Sequence, residues 1–471
     1  MQPALTPLFP LQRSAVLSRL SRRLWPLVGA VLLSACGGGS GGGERVEAAA
    51  SCSVADQKAW LGRYMDDWYF WYRLAPQPAG GAYPTLAEYF SALLYKGTAP
   101  TFPADRWSNT ETTESFNRFY GDGQSMGYGV AVAGREVLGR PAQPLYVRLV
   151  EPQSAAGMAG VMRGDQVVSI NGRASADVIA SNDFSGLSAS AEGQSLTTVL
   201  RNAAGGQRSV VMVAKAFALT PVPLDTVVAT AAGRRLGYVQ VKDMISQVNA
   251  PLEAAFARFR AAGVQGLVLD LRYNGGGLVS VASSLGSYVA GARGEGRAFA
   301  SLLYNDKRAG SNNTVYRFAN PASALGVARV YVLMGSRTCS ASDQVINGLR
   351  GAGVEVVTIG EASCGKPVGF LPSSQCGTTY NVVNFESVNE RNEGRYFDGF
   401  AATCPVAEDF TRALGTPAEP LLAAAIAHAD TGACPAVASG QAQALGQRAR
   451  ADGHLPRTLW DGGGLPGMLD R

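Results

Sequence analysis

A chain of 471 residues, 46% apolar and 16% charged, is too long for one ordinary domain and has the composition of a folded globular protein, so two or three domains are expected and wholesale disorder is excluded. Its formal charge of +5 owes four units to Arg13, Arg19, Arg22 and Arg23, with no acidic residue before position 36, which leaves about +1 (5 − 4) for the rest. That balance gives no footing to a nucleic-acid partner or to an electrostatic membrane surface.

The four arginines precede the apolar run Leu24 to Leu33, which is too short to cross a bilayer as a helix and has the plan of a signal peptide, so residues 1–35 are expected to serve export. The run ends in Leu33-Ser34-Ala35-Cys36, which resembles the bacterial lipobox. The resemblance implies lipidation of Cys36 and anchoring on the periplasmic side of the envelope, and Gly37 in the next position points to the outer membrane. Six further cysteines remain, Cys52, Cys339, Cys364, Cys376, Cys404 and Cys434. An even number in an exported chain suggests disulfides, and the absence of any C-x-x-C removes the commonest zinc and redox patterns. Residues 36–50 read as a glycine-rich tether; the G-x-S-x-G match at Gly38 to Gly42 lacks the strand and helix that such a nucleophile turn needs.

Over residues 51–122, Trp60, Tyr64, Trp68 and Trp71 step by about one helical turn and predict a small helical domain with an aromatic core. Residues 123–218 carry Met126-Gly127-Tyr128-Gly129-Val130, then Val150-Glu151-Pro152-Gln153-Ser154-Ala155-Ala156-Gly157, then Arg163-Gly164-Asp165-Gln166-Val167-Val168-Ser169-Ile170-Asn171-Gly172. This ordered set resembles a PDZ domain, which implies a peptide-binding loop at Gly127, Tyr128, Gly129 and Val130 beside a strand edge able to pair with an extended peptide. Residues 219–430 alternate strand-like and helix-like patterns: Leu236 to Val241, a helix from Pro251 to Ala262 with Leu252, Ala255, Phe256 and Phe259 on one face, and the buried-strand run Gly266 to Leu271. They predict an α/β core. Residues 431–471 form a tail without recognisable chemistry, and His428 and His454 read as solvated surface residues.

Two strand ends carry the chemistry. Asp270-Leu271-Arg272-Tyr273-Asn274-Gly275-Gly276-Gly277 turns out of a buried strand through uncovered glycine amides suited to an oxyanion. The strand Val330 to Met334 leads into Gly335-Ser336-Arg337-Thr338-Cys339-Ser340-Ala341-Ser342-Asp343 and a helix, where the Ala341 amide and the helix dipole favour negative charge. Ser340 is assigned as nucleophile, with Ser342 as helix cap. With both histidines far downstream, Lys366 in Gly365-Lys366-Pro367 is the nearer base, provided burial lowers its pKa of about 10.4 by roughly three units.

D-L-R-x-N-x-G-G, then S-A-S-acid, then G-K after a strand resembles the motif order of the C-terminal-processing, or tail-specific, serine proteases, over roughly residues 123 to 425. The resemblance implies an α/β fold, with a crotonase/ClpP-like ββα catalytic core, an inserted PDZ domain and a small N-terminal helical domain. It also implies Ser340 as nucleophile, Lys366 as general base and Ala341 with Gly276 or Gly277 as oxyanion donors. Asp343 stands where the family usually has Glu, and Phe370 where it often has Gln, leaving Gln375 as the stand-in for a third catalytic member. Cys339 and Cys364 flank the two catalytic positions and a bridge between them would fix their geometry; Cys364–Cys376 and Cys376–Cys404 pairings are equally compatible with the sequence. The expected function is a Ser-Lys endopeptidase acting on protein or peptide substrates with exposed C-terminal tails, without metal or organic cofactor, since no H-E-x-x-H is present. The alternative is a catalytically impaired PDZ-containing adaptor lipoprotein; a coenzyme A enzyme on the same core is disfavoured by the export signal.

Overall fold

A computed structural model describes residues 48–135, 144–435, 458–460 and 468–470; Cys36, the export segment, most of the tether and His454 lie outside them. Among the described residues no helix is long and apolar enough to cross a membrane.

The first helix, Val54–Trp68, starts where the Ser53 side chain accepts the Asp56 amide and buries Trp60, Leu61, Tyr64 and Trp68. Trp71 follows the helix and is also buried, its ring edge-on to Tyr69 at 5.8 Å. A second helix, Leu86–Leu93, opens on the reciprocal Thr85/Glu88 capping box. Residues 51–122 are nonetheless more than helical. Asn109–Thr112 is a strand pairing antiparallel with Thr378–Asn381, and Cys52 is bridged to Cys376, so this region is sewn to the α/β core.

The segment that follows builds its own hydrophobic cluster, including Val132, Leu145, Val147, Val167, Ile170, Leu196 and Leu200. Its sheet orders the strands Val130–Arg135, Leu145–Val150, Gln166–Ile170, Ser195–Arg201 and Gln207–Val213 as neighbours, with short helices at Ala155–Met158 and Ser175–Ser181. One outer edge, that of Val130–Arg135, is taken by Thr458–Trp460 from far downstream.

In the α/β core, Leu224–Ala229 leads a six-stranded sheet antiparallel to Arg235–Gln240; Gly266–Asp270, Arg329–Met334, Glu355–Gly360 and Cys404–Pro405 then follow in parallel. Alternation along each strand decides the layers. Leu267, Leu269, Val330 and Val332 join the cluster containing the helices Asn249–Ala261, Val279–Ala290 and Ala341–Gly351, whereas Val268, Tyr331 and Leu333 join that of Pro420–Thr431. A second, antiparallel sheet orders Thr314–Arg317, Ala298–Tyr304, Val383–Val388 and Val368–Phe370.

Two expectations fail here. His428 is 6% exposed rather than solvated, because Pro420–Thr431 turns it onto the sheet, edge-on to Tyr331 at 5.6 Å. Nor is the distal segment purely a tail: Met468 and Leu469 are fully buried in the main core, since they fill a seat that Phe370 and Leu278 leave between the second sheet and the glycine loop.

Candidate active site

Asp270 and Met334 end adjacent parallel strands, so the loops after them emerge side by side, where open parallel sheets place their sites. A buried ionic knot anchors the first loop. Arg272 forks onto both carboxylate oxygens of Glu419 at 2.8 and 2.9 Å and donates from Nε to Asp270 at 3.0 Å, while the Tyr238 hydroxyl donates to Asp270 at 2.7 Å. Asn274 then stitches the two loops together: its carbonyl accepts the Cys339 amide and the Ser342 hydroxyl, and its Oδ1 accepts the Gly276 amide at 2.8 Å.

These bonds revise two assignments. Ser342 does not cap the helix, because its hydroxyl is committed to Asn274 at 3.0 Å. The N-cap position belongs to Ser340 itself. Gly276 is not a free amide donor; its role is room, since a Cβ there would meet Ser340 Cβ at 2.9 Å and Ala341 N at 3.0 Å. Gly277, at φ +136°, and Ala341, the first residue of the helix and so one of its orphan amides, carry no such commitment to Asn274.

Ser340 is fully buried and has φ +62°, ψ −113°, a conformation costly for a side chain with a Cβ. This is the backbone of a sharp strand-to-helix turn. Three ties hold it: the Cys339 amide bonded to Asn274, the Cys339–Cys364 disulfide, and the Ser340 amide donating to Asp343 Oδ2 at 2.9 Å. Its Oγ finds no hydrogen-bond partner among the described residues.

The same Asp343 oxygen accepts the Lys366 amide at 3.1 Å, so one carboxylate spans both loops, a role the sequence does not reveal. Burial pushes Asp343 up to about 6 against the hydrogen bonds of Ser363, Lys366, Ser340 and Gly365. Lys366 is 4% exposed, and burial pulls its ammonium down to about 7, opposed only by the field of Asp105. Its Nζ lies 3.8 Å from the centre of the Phe370 ring, so the residue standing in for the usual Gln forms part of the apolar wall. Gln375 sits in the small sheet with Thr378 and turns its amide toward Cys376.

Lys366, Cys339 and Asn381 line a cleft of about 1180 Å³ bordered by residues 106–120 on the helical region and by 124–126 and 189–192 on the second segment. In that second segment, Gly129 (φ +71°) is pressed so close to Ser154 that a Cβ would come within 2.0 Å of it. The Tyr128 and Gly129 carbonyls accept the Ala156 and Glu151 amides, Val130 pairs with Val150, and Gly127 ends the strand Gln124–Gly127. Among the described residues, the two clusters with metal-ligand composition are Cys339–Asp343–Cys364 and Cys404–His428–Cys434, and in each the sulfurs are joined as a disulfide. Neither supplies thiolates to a metal.

Residues 235–379 match the model of Peptidase family S41, and residues 56–109 match that of the Peptidase S41 N-terminal domain. The chain is 29% identical over 217 residues to the chloroplastic carboxyl-terminal-processing peptidase 1 of Arabidopsis thaliana, covering 45% of this chain and 42% of that one. It is 32% identical over 138 residues to the chloroplastic C-terminal processing peptidase of Tetradesmus obliquus, covering 27% and 29%. The chain thus spans less than half the length of these curated relatives. A crystal structure assigned to the S41 proteases, from Bacteroides fragilis, superposes with a TM-score of 0.64 at 24% identity, over 79% of this chain and 97% of that one, which shows a common fold. Ser340, Lys366, Gly276 and Gly277 all lie inside the longer segment, residues 235–379, that is similar to Peptidase family S41.

Proposed function

We propose that the protein is a serine endopeptidase that cleaves proteins at or near exposed C-terminal tails through a Ser340–Lys366 pair. One observation carries the reading: a strained, buried serine with an unpartnered Oγ is tied, through Asp343 and a disulfide, to the loop of a lysine that burial holds near neutrality. Lys366 Nζ takes the proton of Ser340 Oγ as that oxygen attacks the scissile carbonyl, and the Ala341 and Gly277 amides receive the oxyanion. The lysine returns the proton to the leaving amine. Water, deprotonated by the same amine, then releases the acyl group and regenerates the serine. The adaptor alternative rests on Phe370, yet desolvation by burial lowers Lys366 to about 7, as a neutral base requires.

The second segment is proposed to be a PDZ domain that presents substrate along the edge of Val130–Arg135. Attachment through Cys36 on the periplasmic side is proposed from the lipobox-like Leu33-Ser34-Ala35-Cys36, and three disulfides suit an oxidising compartment. The test is cleavage of an unfolded protein with an apolar C-terminus, in EDTA, by wild type, Ser340→Ala and Lys366→Ala. Cutting by wild type alone supports the pair; cutting by all three, or binding without cutting, refutes it.

A further inference from the structure

The chain's own distal segment docks twice beside this site. Thr458–Trp460 adds an antiparallel strand to Val130–Arg135, with Thr458 opposite Arg135 and Trp460 opposite Ala133, so it runs toward the Gly127–Val130 loop. Met468–Asp470 then lies between the edge strand Val368–Phe370 and the glycine loop, parallel to both. Four main-chain hydrogen bonds seat it: Phe370 N to Met468 O at 2.8 Å, Asp470 N to Phe370 O at 3.0 Å, Leu469 N to Gly277 O at 2.9 Å and Val279 N to Leu469 O at 2.9 Å.

Both dockings extend a sheet edge through backbone atoms, the mode by which a peptide is held without regard to most of its side chains. The second docking reaches the catalytic elements themselves. Leu469 is bonded to Gly277, Phe370 also walls Lys366, and Gln344, one helical turn beyond Ser340, approaches Met468 Sδ at 3.4 Å. Selectivity enters at two side chains. Leu469 is 1% exposed in an apolar seat, and the Asp470 carboxylate receives the hydroxyls of Tyr304 and Tyr316, each at 2.7 Å.

We infer that the distal segment, docked at Thr458–Trp460 and again at Met468–Asp470, is a self-docked occupant of the peptide track, holding the enzyme in check. The same track selects in a substrate an extended stretch with an apolar residue at the Leu469 seat followed by an acidic one at the Tyr304–Tyr316 clamp. The inference rests on the peptidase reading, because it makes the seat part of a substrate path. An intramolecular occupant acts at an effective concentration of about 1 mM, so with a dissociation constant of about 0.1 mM it holds activity down about tenfold.

The experiment compares the full chain as wild type, Leu469→Asp and Asp470→Asn, using dye-labelled unfolded casein and a synthetic peptide of residues 458–471. Leu469→Asp is expected to raise kcat/KM about tenfold and Asp470→Asn about threefold, and the peptide should inhibit Leu469→Asp competitively. Tyr304→Phe with Tyr316→Phe, placed in the Leu469→Asp chain, should weaken that peptide severalfold, and no further when the peptide carries Asn for Asp. If wild type cuts casein but neither tail variant is faster and the peptide fails to inhibit, the self-docking inference falls and the peptidase stands. If no chain cuts casein yet the peptide binds Leu469→Asp more tightly than wild type, the track stands and the peptidase reading falls. Asp470→Asn preserves size, so a loss of activity in both variants with a lowered melting temperature marks the segment as core packing and overturns the inference.

Discussion

Lys366 and Lys242 are buried to nearly the same depth, 4% and 7% exposed, yet they are opposite kinds of cation. Lys242 lies 2.7 Å from Glu151 and also pairs with Asp243; burial pulls its pKa down, but the two carboxylates outweigh burial and raise it. Lys366 forms no ion pair among the described residues, and burial alone lowers it to about 7. Depth therefore does not make a base. A buried lysine is driven toward the neutral amine where the chain withholds the counter-ion, while Lys242 serves as a joint between Glu151 of the second segment and the core.

The largest expected effect tests that contrast directly. Lys366→Ala should lower kcat/KM by about 10³–10⁴-fold, like Ser340→Ala, without loss of fold. Lys242→Met should leave activity per folded molecule nearly unchanged but cost about 3–5 kcal/mol, because it strands buried carboxylates. Activity assays beside urea melts separate the two, and a folded but inactive Lys242→Met would break the comparison.

Next comes stability. The native Lys366 gives up its proton near 7 and the unfolded one near 10.5, so between those values the unfolded chain binds more protons and wild-type stability rises with pH. Below pH 7 the native state carries a buried ammonium. Lys366→Met should therefore be more stable than wild type by as much as about 5 kcal/mol at pH 5, an advantage that shrinks above pH 7. Melts at pH 5 and pH 9 check the sign.

Kinetics sharpen it further. With the neutral Lys366 amine as the proposed base, kcat/KM should climb with pH through about 7. Phe370→Glu, which puts a carboxylate where the ring now lies, should move that limb about 2 units upward, as an opposite charge favours the ammonium. The smallest expected effect belongs to Asp343→Asn, which weakens the strut between the Ser340 and Lys366 amides. It should lower kcat about tenfold with KM unchanged and leave the rise through pH 7 in place, as expected of a positioning residue that does not transfer the proton.

Much of this site is legible in the amino-acid order, because its signals are local. The apolar runs Gly266 to Leu271 and Val330 to Met334 form buried strands for want of any exposed face, and each ends at a motif whose glycines or serine have no other reason to cluster. The helix face Leu252, Ala255, Phe256 and Phe259 is readable for the same reason. Backbone strain is not: nothing in Cys339-Ser340-Ala341 announces φ +62°, which the Asn274 and Asp343 hydrogen bonds impose from outside. The burial of His428 is hidden too, because helix Pro420–Thr431 carries small residues on nearly all faces and its pattern does not say which side meets the sheet.

The sequence by itself determined the chemistry at hand: a serine and a lysine at strand ends, a glycine loop upstream of both, and six cysteines available to pair. The tertiary structure alone decided which of those groups act together. Pairing is a matter of non-local distance, and so Cys52 meets Cys376 across 324 positions while Cys404 meets Cys434. Ionisation is a matter of environment, which sets Lys366 apart from Lys242. An unremarkable Met-Leu-Asp became a buried strand for one reason: Phe370, Gly277 and Val279 left backbone groups at an edge that only another chain segment can satisfy.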